Sequence, residues 1–418
     1  MNNQEYIQPY KTTPRFFYGY IVVIFAFIIQ VAMLGPRASY GVFFKPMLIE
    51  FSWTRALTSG AYSISLIMQG LSGIIMGGLN DRLGPRVVMT LCGLILGLGI
   101  LLMSQINATW QLYLFYSVII GVGMGGLIAP PFSTVTRWFV RRRSMMMGIV
   151  VAGGGAGMLT MPPFANWLLF TGWRNAYIIL GAVVLVVTIL AAQFLKRDPA
   201  QIGQTPYGEN EIQAQGLNLV AQGFSLKEAT YTWQFWTLVI LLFCYGFAGA
   251  TIMVHFVPYI TDQGISAATA ATVSATIGGA VIGGSMVLGV IASRIGNRKT
   301  CIISFFLLAA ALFCLLIARD VWMFYLLAVV IGFAQGGITP LQSTLVAELF
   351  GIKSHGLILG ICAFGLTLGA AVGPFVTGYI FDLTGSYQRS FLILGTIGTV
   401  GLILAIMLRP TKRLGGRI

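Results

Sequence analysis

Charge is scarce in this sequence. Of its 418 residues only 9% are Asp, Glu, Lys or Arg, and just 11 of those are acidic. A soluble globule carries about 25% charged residues to cover its surface, so a water-soluble enzyme or regulatory domain is excluded. Histidine is scarcer still, with two residues. The five cysteines, Cys92, Cys244, Cys301, Cys314 and Cys362, all lie in apolar runs without disulfide or metal-ligand spacing. They read as small packing residues. A phosphate-binding loop is missing, which argues against ATP-driven pumping. No cofactor and no metal are expected.

What is present is hydrocarbon. Hydrophobic residues make up 57% of the chain, with a mean hydropathy of +0.86. A helix crosses a bilayer with about 20 apolar residues. Twelve such runs can be drawn: 17–44, 53–79, 86–105, 109–132, 143–170, 174–195, 234–261, 267–294, 299–317, 322–347, 354–381 and 388–409. Frequent glycine and these lengths favour helices over a barrel. The first run is too long for a signal-peptide core, so it is expected to stay as a span.

The net charge of +14 is not a nucleic-acid footprint. With twelve crossings, 19 of the 25 Lys and Arg residues fall on the side of the termini and five on the other. That bias is the positive-inside rule. Both termini, 1–16 and 410–418, are therefore expected in the cytoplasm, with the chain a multi-pass protein of the cell (cytoplasmic) membrane.

The chain also repeats itself. Gly77-Gly78-Leu79-Asn80-Asp81-Arg82-Leu83-Gly84-Pro85-Arg86 is echoed 212 residues later by Gly289-Val290-Ile291-Ala292-Ser293-Arg294-Ile295-Gly296-Asn297-Arg298. Pro46 and Pro258, Phe139 and Phe350, Gly148 and Gly360, and Gly172 and Gly385 keep offsets of 211 to 213. Two pseudo-symmetric six-helix bundles, 17–195 and 234–409, follow. Between them 196–233 is polar and reads as a cytoplasmic linker, with Ser225-Leu226-Lys227-Glu228 suited to cap a short helix.

Arg37 is the one base left over. It lies within the first run, away from the tails and loops. Arginine keeps its charge, and at membrane depth that charge costs at least about 2.5–3.5 kcal/mol. Three readings stand: it binds an anionic substrate, it pairs with a fixed partner, or it snorkels to the far surface. No Asp or Glu occurs at comparable depth, which disfavours an internal carboxylate. Tyr40, one turn on, is placed to donate to the same anion. His255 is the one histidine in the interior of a run, since His355 stands at the edge of the run 354–381. His255 is either a proton carrier or a neutral ring bonded to a backbone carbonyl. His355 is expected to be solvated in a loop. Gln69, Gln335 and Gln342 are candidate pocket or helix-bridging amides. The glycine-rich stretches Gly153–Gly157 and Gly278–Gly284 are expected at moving interfaces between the halves.

The Gly-x-x-x-Asp-Arg-x-Gly-x-Arg stretch at 77–86, echoed at 289–298, resembles the loop signature of the major facilitator superfamily. Tyr18-Gly19-Tyr20, Gly41-Val42-Phe43-Phe44, Trp53-Thr54-Arg55, Arg137-Trp138-Phe139, Gly172-Trp173-Arg174 and Phe381-Asp382-Leu383-Thr384-Gly385-Ser386-Tyr387 are similar to its bacterial monocarboxylate-transporter and oxalate/formate-antiporter-like branch. The resemblance implies an all-α major facilitator fold. It also implies a gating latch at Asp81, Arg82 and Arg86 with Arg137, and a weaker second latch beside Arg294, because Ser293 replaces the acid. It puts Arg37 where relatives carry a substrate-handling Lys, and Ser285 where they carry an Arg. The expected function is secondary transport of small organic anions such as lactate or pyruvate, by proton symport or anion exchange, in a monomer. The alternative is a carrier for uncharged, zwitterionic or lipophilic drug-like compounds.

Overall fold

The computed structural model describes residues 17–53, 55–208, 223–384 and 386–408. Both chain tails and the middle of the linker lie outside those residues. Among the described residues, twelve helices are long and apolar enough to cross a membrane. The first six are α1 (Gly19–Phe43), α2 (Gly60–Leu83), α3 (Pro85–Met103), α4 (Thr109–Trp138), α5 (Arg143–Thr171) and α6 (Trp173–Gln193). The second six are α7 (Trp233–Asp262), α8 (Thr272–Ile295), α9 (Asn297–Cys314), α10 (Val321–Phe350), α11 (His355–Phe381) and α12 (Tyr387–Met407).

The repeat is visible in the packing. Helix α1 lies along α5 as α7 lies along α11, and α3 pairs with α6 as α9 pairs with α12. The signature glycines explain part of the sequence pattern. Gly84 and Gly296 have φ of +83° and +95°, a region that residues with a Cβ rarely adopt. Each turns the chain from one helix directly into the next.

The linker ties to equivalent places on the two halves. The Tyr207 N–H donates to the Trp138 carbonyl at 2.9 Å, beside Phe139, and the Phe224 N–H donates to the Phe350 carbonyl at 2.8 Å. Ser225 caps the short helix Leu226–Thr230 in a capping box with Glu228.

Helix α4 is irregular. Tyr113–Ile120 is π-helical and Met124–Leu127 is 3-10. Pro131 has no N–H to offer the Leu127 carbonyl, four residues earlier. Gln30 of α1 supplies the missing donor through Nε2 at 2.7 Å.

The halves meet along two helix pairs, α2 with α11 and α5 with α8. Backbones touch there. A Cβ on Gly148 would lie 2.2 Å from the Ser285 carbonyl oxygen, and one on Gly77 would lie 2.2 Å from that of Gly356. The glycine-rich stretches differ from expectation. Gly153 and Gly157 pack against α1, and Gly284 against α10, within their own halves. Gly155 alone of that α5 group packs against α8, at Ile282. Close approach inside each bundle is what Gly153, Gly154, Gly157 and Gly284 serve, while Gly278, Gly279 and Gly283 border open space.

Candidate functional site

The hydrogen bonds that join the halves cluster on the face carrying the linker. Asp81, at the end of α2, caps the N-terminus of α11. Its Oδ1 accepts from the Gly356 N–H at 3.1 Å and its Oδ2 from the Leu357 N–H at 2.9 Å. A carboxylate satisfies the orphan donors of a helix start and its positive dipole end. Arg137 of α4 closes the cluster. Its Nη2 lies 3.3 Å from Asp81 Oδ1 and donates to the Ile352 carbonyl at 2.8 Å, while Nη1 reaches Asp198 of the linker at 3.4 Å. The other predicted gating bases are not brought in. Arg82 and Arg294 are exposed and make no hydrogen bond or ion pair among the described residues. Arg86 donates to Gln193 of its own half at 2.6 Å.

The second copy is built differently. The Ser293 hydroxyl turns back to the Val290 carbonyl of its own turn at 2.7 Å. The start of α5 is met instead by Asn297 of α9, which accepts from the Ser144 hydroxyl and donates to Glu348 at the end of α10. Neither Asn297 nor Glu348 was singled out in the sequence. The repeat mate of Asn297 is Pro85, so the internal symmetry gives no hint of it.

His355 corrects an expectation. It is fully buried as the first residue of α11, not solvated in a loop. Its Nε2 lies 2.9 Å from the Ser343 carbonyl, and the Ser343 hydroxyl meets that of Thr136 across the seam at 2.6 Å. It belongs to the closed contact between the halves.

Arg37 lies in α1 inside the N-terminal half. Its Nε donates to the Tyr62 hydroxyl at 3.3 Å and its Nη1 to Gln69 Oε1 at 2.5 Å, both on the helix leading through α2. Its guanidinium carbon sits 5.5 Å from the Tyr62 ring centroid. These partners orient the side chain but carry no charge. Among the described residues no carboxylate pairs with it, and Nη2 makes no hydrogen bond. Snorkelling is thereby replaced by a tethered, uncompensated cation. Tyr40 does not join it as a donor, because its buried hydroxyl donates to the Thr58 carbonyl at 2.7 Å. Its ring instead stacks on Tyr116, with centroids 4.2 Å apart. Tyr62 and Tyr116 were missed in the sequence, where a tyrosine in an apolar run looks like packing.

Two small cavities flank this group. One, of about 20 Å³, is enclosed by Arg37, Tyr116, Tyr177 and apolar side chains of α1, α3, α4 and α6. The other, of about 10 Å³, lies at the seam between Gln69, Gly73, Ile128, Gly360 and Thr367. Gln69 thus links the guanidinium to the inter-half contact.

In the C-terminal half, His255 is half-buried with both ring nitrogens engaged. Its Nε2 faces the Pro374 carbonyl at 2.9 Å and its Nδ1 the Tyr387 hydroxyl at 3.2 Å. A carbonyl can only accept, so Nε2 carries a proton, and Nδ1 lies within hydrogen-bond reach of the Tyr387 hydroxyl. Ser285 is fully buried, and its hydroxyl donates to the Ile282 carbonyl at 2.9 Å. Its backbone is pressed against Gly148. Helix packing fills the position where the resemblance places an Arg. Gln335 is half-buried with its amide beside Gly249 of α7, and Gln342 is buried with Oε1 unpartnered. Among the described residues no group of His, Cys, Asp and Glu is arranged to hold a metal.

The Gly172-Trp173-Arg174 motif has a structural task at the face opposite the linker. The Trp173 indole donates to Glu50 at 2.6 Å and Arg174 pairs with the same carboxylate at 2.5 Å. These bonds, Arg174 first, hold the Glu50 carboxyl below its usual range.

Comparison with known proteins agrees with this architecture. Monocarboxylate transporter 13 of Rattus norvegicus is 28% identical over 393 residues, covering 92% of this chain and 87% of its own length. The uncharacterized MFS-type transporter YcxA of Bacillus subtilis is 26% identical over 422 residues, covering 96% of each chain. Among solved structures, the proton:xylose symporter XylE superposes with a TM-score of 0.76 at 14% identity, covering 94% of this chain and 97% of that one. The sequence model of the Major Facilitator Superfamily matches residues 21–293 and again 238–416. The chain belongs to the major facilitator superfamily, in its monocarboxylate-transporter-like branch, and is a membrane transporter rather than an enzyme.

Proposed function

We propose that the protein carries small organic anions, monocarboxylates such as lactate or pyruvate, by alternating access. One observation carries this reading: a permanent guanidinium within a membrane span, held only by the neutral groups of Tyr62 and Gln69, with Nη2 left over. An anion neutralises that charge and makes the loaded carrier cheaper to rearrange than the empty one. The named relatives among monocarboxylate transporters support the substrate class. Both termini and the linker are assigned to the cytoplasm by the distribution of Lys and Arg, so the seam described above is the inner gate, closed by Asp81 and Arg137. A monomer suffices for this cycle.

Anion exchange suits a permanent guanidinium, since one anion replaces another and the charge is never left bare. His255 has both ring nitrogens occupied within the C-terminal half, away from Arg37, and is given no role in coupling. In proteoliposomes, labelled lactate uptake should be accelerated by internal unlabelled lactate, abolished in Arg37→Gln and retained in His255→Gln. Uptake unchanged in Arg37→Gln would refute the reading. Stabilisation by lipophilic cations in place of carboxylates would favour a drug-like substrate.

A further inference from the structure

We infer that the enclosed cavity beside Arg37 is a resident site for a single halide-sized inorganic anion, which serves as the counterion of the guanidinium when no substrate is bound. The cavity's polar lining is unusual in kind. Tyr177 is buried at 4% exposure, and its hydroxyl has no hydrogen-bond partner. Tyr116 is equally buried, and its hydroxyl makes no hydrogen bond among the described residues. Arg37 lines the same space with Nη2 unused. Each of these groups has a proton to donate. Gln69 Oε1 accepts from Nη1 of Arg37 and does not line this cavity.

Donors without acceptors, around a cation without a carboxylate, describe an anion's coordination shell. A water molecule would satisfy the hydroxyls but leave the charge uncompensated in a low-dielectric interior. The size is selective as well. About 20 Å³ admits one water-sized occupant, so a single halide fits without moving the walls. The remaining walls, among them Met33, Leu96 and Leu180, are apolar and suit a weakly hydrated halide better than a strongly hydrated ion. Tyr116 sits on the π-helical turn of α4, a local geometry frequent at functional sites. The proposal shares Arg37 with the transport reading but needs no carboxylate substrate.

The test is thermal unfolding of the full-length protein in detergent, with chloride titrated against sulfate, which is too large and too strongly hydrated for the cavity, at constant ionic strength. The wild type should show a saturable chloride-dependent rise in Tm. Arg37→Gln should show none, and Tyr177→Phe should need about tenfold more chloride for half the effect. Superimposable chloride and sulfate curves in the wild type, or a wild-type shift kept by Arg37→Gln, would overturn the site. Crystals of the wild-type protein grown in bromide decide independently of variant folding: an anomalous peak within contact of Arg37 and Tyr177 supports it, and an empty cavity refutes it. Carboxylates that stabilise the protein while chloride does nothing would remove this site and leave the transport reading intact. Chloride effects without any carboxylate effect would do the reverse.

Discussion

At the linker end of α2, Asp81 places a full negative charge on the start of α11 and is backed by Arg137. At the equivalent end of α8, Ser293 bonds only within its own turn, and an amide, Asn297, meets the start of α5. Deeper in the bundles the contrast repeats. The N-terminal half holds Arg37 in α1, whereas its mate 212 residues on in α7 is Gly249, with no side chain at all. Two copies of one fold have thus been given different chemistry, with charge concentrated in the first. The comparison teaches that backbone symmetry sets where the halves touch, and that side-chain asymmetry sets how strongly each contact holds.

The comparison can be broken most severely at the backbone contact. Gly148→Val would drive a side chain into the Ser285 carbonyl, which cannot yield without moving α8, at a cost of about 1–3 kcal/mol or more. The expected outcome is a seam held open on the linker face. Spin labels at Arg82→Cys and Arg294→Cys, both exposed and in opposite halves, should report a longer distance than in the parent. Asp81→Asn comes next. Loss of the charge should destabilise the closed seam by about 1.5–3 kcal/mol, read as a growing long-distance population between the same labels. Asn297→Ala removes neutral bonds to Ser144 and a bond to Glu348, and should cost nearer 1 kcal/mol. Equal effects of the two latch variants would erase the proposed asymmetry. Glu50 gives the smallest effect. Its carboxyl is held below the usual range in the folded state, so its contribution is present at neutral pH and lost as pH falls through that lowered value. Wild type should be slightly more stable than Glu50→Gln at neutral pH and lose that margin on acidification, and equal Tm values at neutral pH would show that the pair contributes nothing.

The spans and the repeat were legible because each rests on local chemistry. Apolar runs announce crossings, and a turn at φ near +90° demands glycine at both 84 and 296. Asp81 was legible as part of a latch, but its main partner was not. The run drawn from 354 already implied orphan N–H groups at Gly356 and Leu357, but nothing local says that α2 ends beside them. The burial of His355 depends on the same contact between the halves. Gln30 illustrates a different limit. Pro131 announces that the Leu127 carbonyl needs a donor, yet nothing local says that α1 passes there to provide one. Around Arg37, absence of acids foretold an uncompensated charge, while the neutral tethers Tyr62 and Gln69 depended on which helix faces it. Ser285 failed as a pocket residue because removing an arginine does not leave a hole when a neighbouring glycine lets the helices close.

The central claim is that one tethered guanidinium recognises the transported anion. Its most direct test is binding of lactate and pyruvate to purified wild-type, Arg37→Lys and Arg37→Gln protein by isothermal titration. The account predicts saturable binding in the wild type, weaker binding in Arg37→Lys, which keeps the charge but loses the fork, and a loss of about 100-fold or more in Arg37→Gln. Undiminished carboxylate binding by a correctly folded Arg37→Gln protein would contradict it.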